Sequence, residues 1–186
     1  PHCGIDAQNA AVLAFHAMDM QRESFQEKDF VRLHSVITKG GSAANIIADH
    51  VQLDSSVRAK HIPAYVDAAK KADRAFRAGA IATGCAMRIE TVPGYMPTVP
   101  CSDVTALKEA LEEVADGKYK IIYQGADEHI CASTDFGDVS CLMPLLQFST
   151  GGYEGQLHNP DVRVTDEYLA YVVTAKIFAL TAYKLL

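Results

Sequence analysis

The amide of Asn45, the guanidinium of Arg58 and the imidazole of His34 are the side chains of this sequence best suited to hold a carboxylate. Arginine offers a planar, two-pronged donor to carboxylate oxygens, and asparagine and histidine add directional hydrogen bonds. Whether the three meet depends on the backbone between them. Val31 to Ile37 reads VRLHSVI and Val51 to Ala59 reads VQLDSSVRA, both alternating with the period of half-buried strands. Gly40, Gly41, Ser42 and Asn45 lie between them and form turns readily, so the two segments are expected to pair as an antiparallel hairpin. Val31, Leu33 and Ile37 then share one face of the first strand, and Val51, Leu53 and Val57 one face of the second. His34 and Arg58 point the other way. Counting inward from the loop puts them nearly opposite each other, with Asn45 at the loop, as a candidate anion or carboxylate site. An arginine on an open strand face is also an ordinary solvated charge, and Gly-Gly-Ser an ordinary turn; spacing alone leaves both readings open.

The elements that would carry this hairpin are set by periodicity. Ile5 to Arg22 is expected to be helical, with Asp6 near its start and Val12, Leu13, Ala17 and Met20 on one stripe. His16 falls on that stripe and reads as a packed or boundary histidine. Pro63 suits a first turn and Gly84 a helix end, bracketing a helix whose Val66, Ala69, Phe76 and Ala80 align. Met87 and Ile89 then mark a short strand. Helix, strand, strand, helix, strand is a split βαββαβ layer without its first strand. Val92 to Pro100 (VPGYMPTVP) holds three prolines and a glycine in nine residues and is the expected boundary, giving domains 1–92 and 93–186.

Beyond the boundary, Ser102 is placed to cap a helix containing Val104, Leu107, Leu111 and Val114 and ended by Gly117. Tyr119 to Tyr123 and Cys141 to Phe148 are apolar runs of strand length. A last helix, capped at Thr165 with Asp166 and Glu167 in its first turn, is expected to bury Leu169, Val172, Val173, Ile177 and Leu180. Strands alternating with helices predict an α/β layer with a mostly parallel sheet.

The 186 residues are 49% hydrophobic, enough for one sizeable core or two small ones. A net charge of −6 without basic runs argues against nucleic acid or an anionic membrane as partner. No apolar run approaches the roughly 20 residues a membrane span needs. The five cysteines, Cys3, Cys85, Cys101, Cys131 and Cys141, lack CxxC spacing, so reduced thiols and a cytoplasmic location are the expectation. His50, His61 and His129 sit in polar stretches without a companion at metal-ligand spacing. Gly151 to Gly155 lacks the Lys-Ser/Thr pair of a phosphate loop, and Ser133 and Ser140 have no certifiable His and Asp partners.

Six stretches in order, GIDAQNA (Gly4 to Ala10), RLHSVITKGG (Arg32 to Gly41), NIIAD (Asn45 to Asp49), VRA (Val57 to Ala59), STDFGDVS (Ser133 to Ser140) and GYEGQLHNPD (Gly152 to Asp161), together resemble the aminoacylase/carboxypeptidase G family of zinc metallopeptidases. The branch they resemble is that of amidohydrolases similar to aminobenzoyl-glutamate hydrolase, with Asp138 where Asn is more usual. The resemblance implies a lid domain followed by the last part of a catalytic domain. It implies that Asn45 and Arg58 hold a substrate carboxylate, that His34 contacts the substrate or its oxyanion, and that His158 is the last metal ligand. The activity implied is hydrolysis of an N-acyl amino acid or small peptide by water on one or two zinc ions, with the lid of one subunit pairing with a second copy. Most ligands and the glutamate base would precede Pro1, where the chain opens without Met. A fragment, inactive alone and retaining no zinc, is therefore expected, with no catalytic residue assigned in this chain. The alternatives are a non-catalytic binding or dimerisation module, and a plain structural domain.

Overall fold

Asp6 accepts the backbone N–H of Gln8 at 2.8 Å and so starts helix α1, Ala7–Gln21. The structure, a computed structural model, describes residues 2–125, 128 and 132–186; His129 and Cys131 lie outside the described residues. The chain divides into two units, Pro1–Thr98 with His129–Asp138, and Val99–Glu128 with Val139–Leu186. Their junction at Thr98 falls within the Val92 to Pro100 connector, but a later stretch returns to the first unit, which a single cut does not anticipate.

In the first unit, β1 (Arg32–Lys39) and β2 (Gln52–Arg58) form an antiparallel pair followed by helix α2, Ile62–Thr83. Pro63 lies in its first turn. Gly84 ends it at φ 75°, and the N–H of Cys85 reaches the Ala80 carbonyl at 2.9 Å. The two helices touch through small residues: Ala11 and Ala14 of α1, and Ala68, Ala72, Ala75 and Gly79 of α2, are buried. A Cβ on Gly79 would run into the Ala10 carbonyl oxygen and lie 2.9 Å from the Ala14 nitrogen, so the backbones approach as closely as glycine permits. This corrects the stripe expected on α1. Val12, Leu13, Met20 and His16 face solvent, because so close a crossing admits only alanine and glycine at its centre. Met18, Leu33, Ala72 and Ala75 form the core, packed by Phe15, Phe25, Val31, Val57 and Phe76, so the apolar face of the hairpin is the one covered. Met87 to Ile89 is not a strand; the β1–β2 sheet has no third member among the described residues, and two apolar residues are too few to hold one.

In the second unit, helix α3 (Thr105–Ala115) is capped by Asp103 rather than Ser102: its Oδ1 takes the Thr105 N–H at 2.9 Å, which holds the Asp103 carboxyl below its usual range. The helix ends on Asp116 and Gly117, both at positive φ. Asp166, not Thr165, caps the last helix, accepting the Leu169 N–H at 2.9 Å. That helix opens as a π turn, Tyr168–Val173, before becoming regular as α5, Thr174–Leu185. The Thr174 hydroxyl bonds back to the Ala170 carbonyl at 2.7 Å and lies 2.6 Å from the Thr150 hydroxyl. The wide turn rotates the buried stripe to Ala170, Val173, Ile177 and Thr181 and leaves Val172 exposed, contrary to the regular spacing expected. Leu107, Val173 and Ile177 form the core, with Leu111, Val114, Tyr119, Leu146, Phe148 and Leu169 around it.

Strand pairing in this unit, among the described residues, is confined to β3, Tyr153–Glu154, and β4, Arg163–Val164, and it is antiparallel. Tyr119 to Tyr123 and Cys141 to Phe148 are not strands, although Tyr119, Leu146 and Phe148 still pack on the core. The mixed α/β class holds. The mostly parallel sheet is not present among the described residues, since a parallel strand forms only beside a neighbour and these segments have none. A short helix, α4 (Phe136–Ser140), lies where the chain passes from one unit to the other.

Candidate functional site

The register of the hairpin sets the first site. Leu33 pairs with Val57 and Ile37 with Leu53, apolar against apolar, and the polar face carries Arg32 opposite Arg58, His34 opposite Ser56 and Val36 opposite Asp54. A β-bulge between Ile37 and Lys39 produces this match. Without the extra residue the strands would slide by one, setting Leu33 against Arg58 and breaking the segregation of faces. The bulge also corrects the expected geometry: Arg58 faces Arg32 directly, and His34 is its diagonal neighbour on the same face.

Arg58 and His34 are exposed and make no hydrogen bond or ion pair among the described residues. Arg32 is exposed as well and donates from Nη1 to its neighbour Val31 at 3.0 Å. The connecting loop is held at one point. Ala48 is its buried residue, and its carbonyl accepts the Ala7 N–H at 2.9 Å, tying the loop to the start of α1. Asn45 lies exposed in the turn closed by the Ile46 N–H on the Ala43 carbonyl, 3.1 Å. Its amide is bonded to neither Arg58 nor His34; the hairpin brings those two together and leaves Asn45 on the loop.

His158 belongs to the second unit. Gly155, at φ 100°, begins the loop between β3 and β4, and a Cβ there would come within 2.6 Å of the Asp161 oxygen. His158 itself sits at φ 66°, a left-handed conformation uncommon for a side chain with a Cβ, in a turn closed by the Asn159 N–H on the Gln156 carbonyl at 3.1 Å. Its imidazole is exposed.

The STDFGDVS stretch serves the connector. Asp138 accepts the Met96 N–H at 2.9 Å within the first unit, and the Ser140 hydroxyl oxygen accepts the Val99 N–H at 2.9 Å within the second. A carboxylate here does what an asparagine oxygen could, which accounts for Asp138 in place of the more usual residue. Ser140 is buried and engaged, so its hydroxyl is not a free nucleophile.

No family model matches the chain. Among curated proteins, the Xaa-Arg dipeptidase of Mus musculus is 34% identical over 151 residues, which take in 77% of this chain and 33% of the relative. The Xaa-Arg dipeptidase of Homo sapiens is 32% identical over 148 residues, with the same two shares. The chain belongs to the aminoacylase-like metallopeptidase family. It spans about a third of the length of the curated relatives it matches.

Membership of a metallopeptidase family raises the question of a metal. A catalytic zinc takes about three protein ligands and leaves one position open. Among the described residues no three His, Cys, Asp or Glu side chains gather to hold an ion, and His158 has no such neighbour. These residues therefore do not by themselves fit a zinc site. Among the described residues no helix is long and apolar enough to cross a membrane. The residue that sequence reasoning passed over is Arg32: the same alternation that set His34 and Arg58 on one face places Arg32 there too, but its pairing depends on a bulge that no residue type announces.

Proposed function

We propose that this chain is the substrate-holding portion of a metal-dependent amidohydrolase that cleaves the amide of an N-acyl amino acid or small peptide with a free carboxylate. The observation that carries this is the guanidinium of Arg58, unpaired among the described residues, beside His34 on the open face of the hairpin, in a chain of this family. Arg58 would take the carboxylate in a charge-assisted pair, Asn45 would add an amide from the loop, and His34 would meet the acyl oxygen or the oxyanion that forms from it. The relatives are named for dipeptides ending in arginine; what such dipeptides share with N-acyl amino acids is the terminal carboxylate that Arg58 suits.

His158 is the one position in this chain proposed to ligate the metal, with the other ligands and the proton acceptor supplied from outside it. Residues 1–92 would act as the lid and 93–186 as part of the catalytic domain, and the lid would pair with a second copy. The free thiols of Cys3, Cys85, Cys101 and Cys141 support a reducing, cytoplasmic setting. A second reading, a binding module without chemistry, draws on the lack of a gathered ligand set among the described residues.

The test is Arg58→Ala in a full-length protein that carries this chain. Loss of a charge-assisted partner is expected to lower kcat/KM for a dipeptide by about ten- to a hundredfold with the unfolding midpoint unchanged. Unchanged kinetics would remove Arg58 from the site, and a full-length protein that neither binds a divalent metal nor hydrolyses any amide would leave the binding-module reading standing.

A further inference from the structure

We infer that Arg32 is a specificity-determining residue, and that the cross-strand pair Arg32–Arg58 selects substrates with a second acidic group at their carboxyl end, an N-acyl aspartate or glutamate or a dipeptide ending in either. This rests on Arg58 holding the terminal carboxylate, as proposed above.

Setting two arginines face to face has a cost. Residues directly opposite in an antiparallel pair have Cβ atoms about 5 Å apart, and like charges in that position are destabilising. Arg32 and Arg58 occupy such a position, both exposed, and no carboxylate among the described residues pairs with either. The other exposed basic residues on this chain often have one: Arg22 has Asp19, Arg88 has Glu90, Lys118 has Asp116 and Arg163 has Glu154. The acid on the same face of the sheet, Asp54, is opposite Val36, beyond the His34–Ser56 pair. Arg32 is also anchored, since its Nη1 donates to the Val31 carbonyl, which keeps the side chain along the strand and leaves Nε and Nη2 free to donate elsewhere.

Two adjacent guanidiniums with one carboxylate between them retain an excess positive charge, and a second carboxylate on the ligand removes it. A basic side chain on the ligand adds a third positive charge. One unit-charge interaction at about 4 Å in water corresponds to roughly a fivefold change in affinity. The preferred order is therefore acidic, then neutral, then basic, the reverse of what a dipeptidase for C-terminal arginine needs at this position.

The experiment titrates the 186-residue chain with N-acetylglutamate, N-acetylleucine and N-acetylarginine, following the backbone amides of Arg32, His34, Ser56 and Arg58 by NMR. The expected result is about fivefold tighter binding of N-acetylglutamate than of N-acetylleucine, with N-acetylarginine the weakest. Arg32→Gln should bring the first ratio close to one, Arg32→Lys should restore much of it, and Arg32→Glu should make N-acetylarginine the preferred ligand. Arg58→Gln should weaken all three. If Arg32→Gln leaves the glutamate-to-leucine ratio unchanged, the selectivity inference is overturned while the role of Arg58 stands. If Arg58→Gln has no effect, the carboxylate reading itself fails, and if the unaltered chain binds none of the three, both are overturned.

Discussion

The two units join their helices in opposite ways. In the first, α1 and α2 meet through alanines and Gly79, so close that no side chain intervenes at the centre of the crossing. In the second, α3 and the terminal helix meet through Leu107, Val173 and Ile177, with Leu111 and Val114 beside them. A small-residue crossing fixes backbones against each other and depends on steric fit, whereas an aliphatic core depends on how much apolar surface it removes from water. The first arrangement gives the hairpin a rigid backing on its apolar face, and its other face is left to carry charge. The second supports loops, including the one that holds His158.

Substitutions at the two contacts should separate these modes. The largest effect is expected at Gly79: even alanine has nowhere to place a Cβ, and Gly79→Leu must push α1 away, costing about 3 kcal/mol or more in denaturant unfolding read at α1 and hairpin amides. A Gly79→Leu variant of unaltered stability would show that the two backbones are not in contact at the crossing. Next comes Ile177→Ala, which leaves a cavity against Leu107 and should cost about 2–3 kcal/mol at α3 and α5 amides. A loss confined to a few tenths would mean that this core collapses onto the gap and is less tightly packed than the first.

The smallest effect belongs to Asp103. Its folded-state pKa is lowered by the Thr105 N–H, so its contribution is present above the ordinary carboxyl pKa of about 4 and is lost as pH falls through the lowered value. The stability difference between the native chain and Asp103→Ala should therefore shrink as the solution is acidified below that range. A difference that does not change with pH would remove the carboxylate as the cap of α3.

Much of the first unit was legible because its signals are local. Pro63 and Gly84 bracket α2, Asp6 caps α1, and period-two alternation gives both strands and the face of each. What was not legible depended on partners far along the chain. Which stripe of α1 is buried is decided by Gly79 of α2, not by the hydrophobicity of Val12 or Leu13. That Arg58 faces Arg32 is decided by a bulge. The caps of the second unit were each off by one residue, since Ser102 and Asp103, or Thr165 and Asp166, are equally good acceptors by type and only the path of the chain chooses. The apolar runs at 119–123 and 141–148 have strand composition, but composition does not supply a neighbouring strand.

The anchoring of the connector has a consequence for the order of events during synthesis. Met96 and Val99 donate their N–H groups to side chains 42 and 41 residues later, at Asp138 and Ser140. On a growing polypeptide the proline-rich stretch thus emerges well before its acceptors exist, and it stays bound to water alone while they are made. At translation rates of roughly 5–20 residues per second, that interval lasts a few seconds. During it α1, the hairpin and α2 are already complete and free to assemble. The first unit can thus form its helix crossing and charged face before the connector is fastened, and a ribosome stalled between Val99 and Asp138 would present a finished hairpin on an unfastened tether.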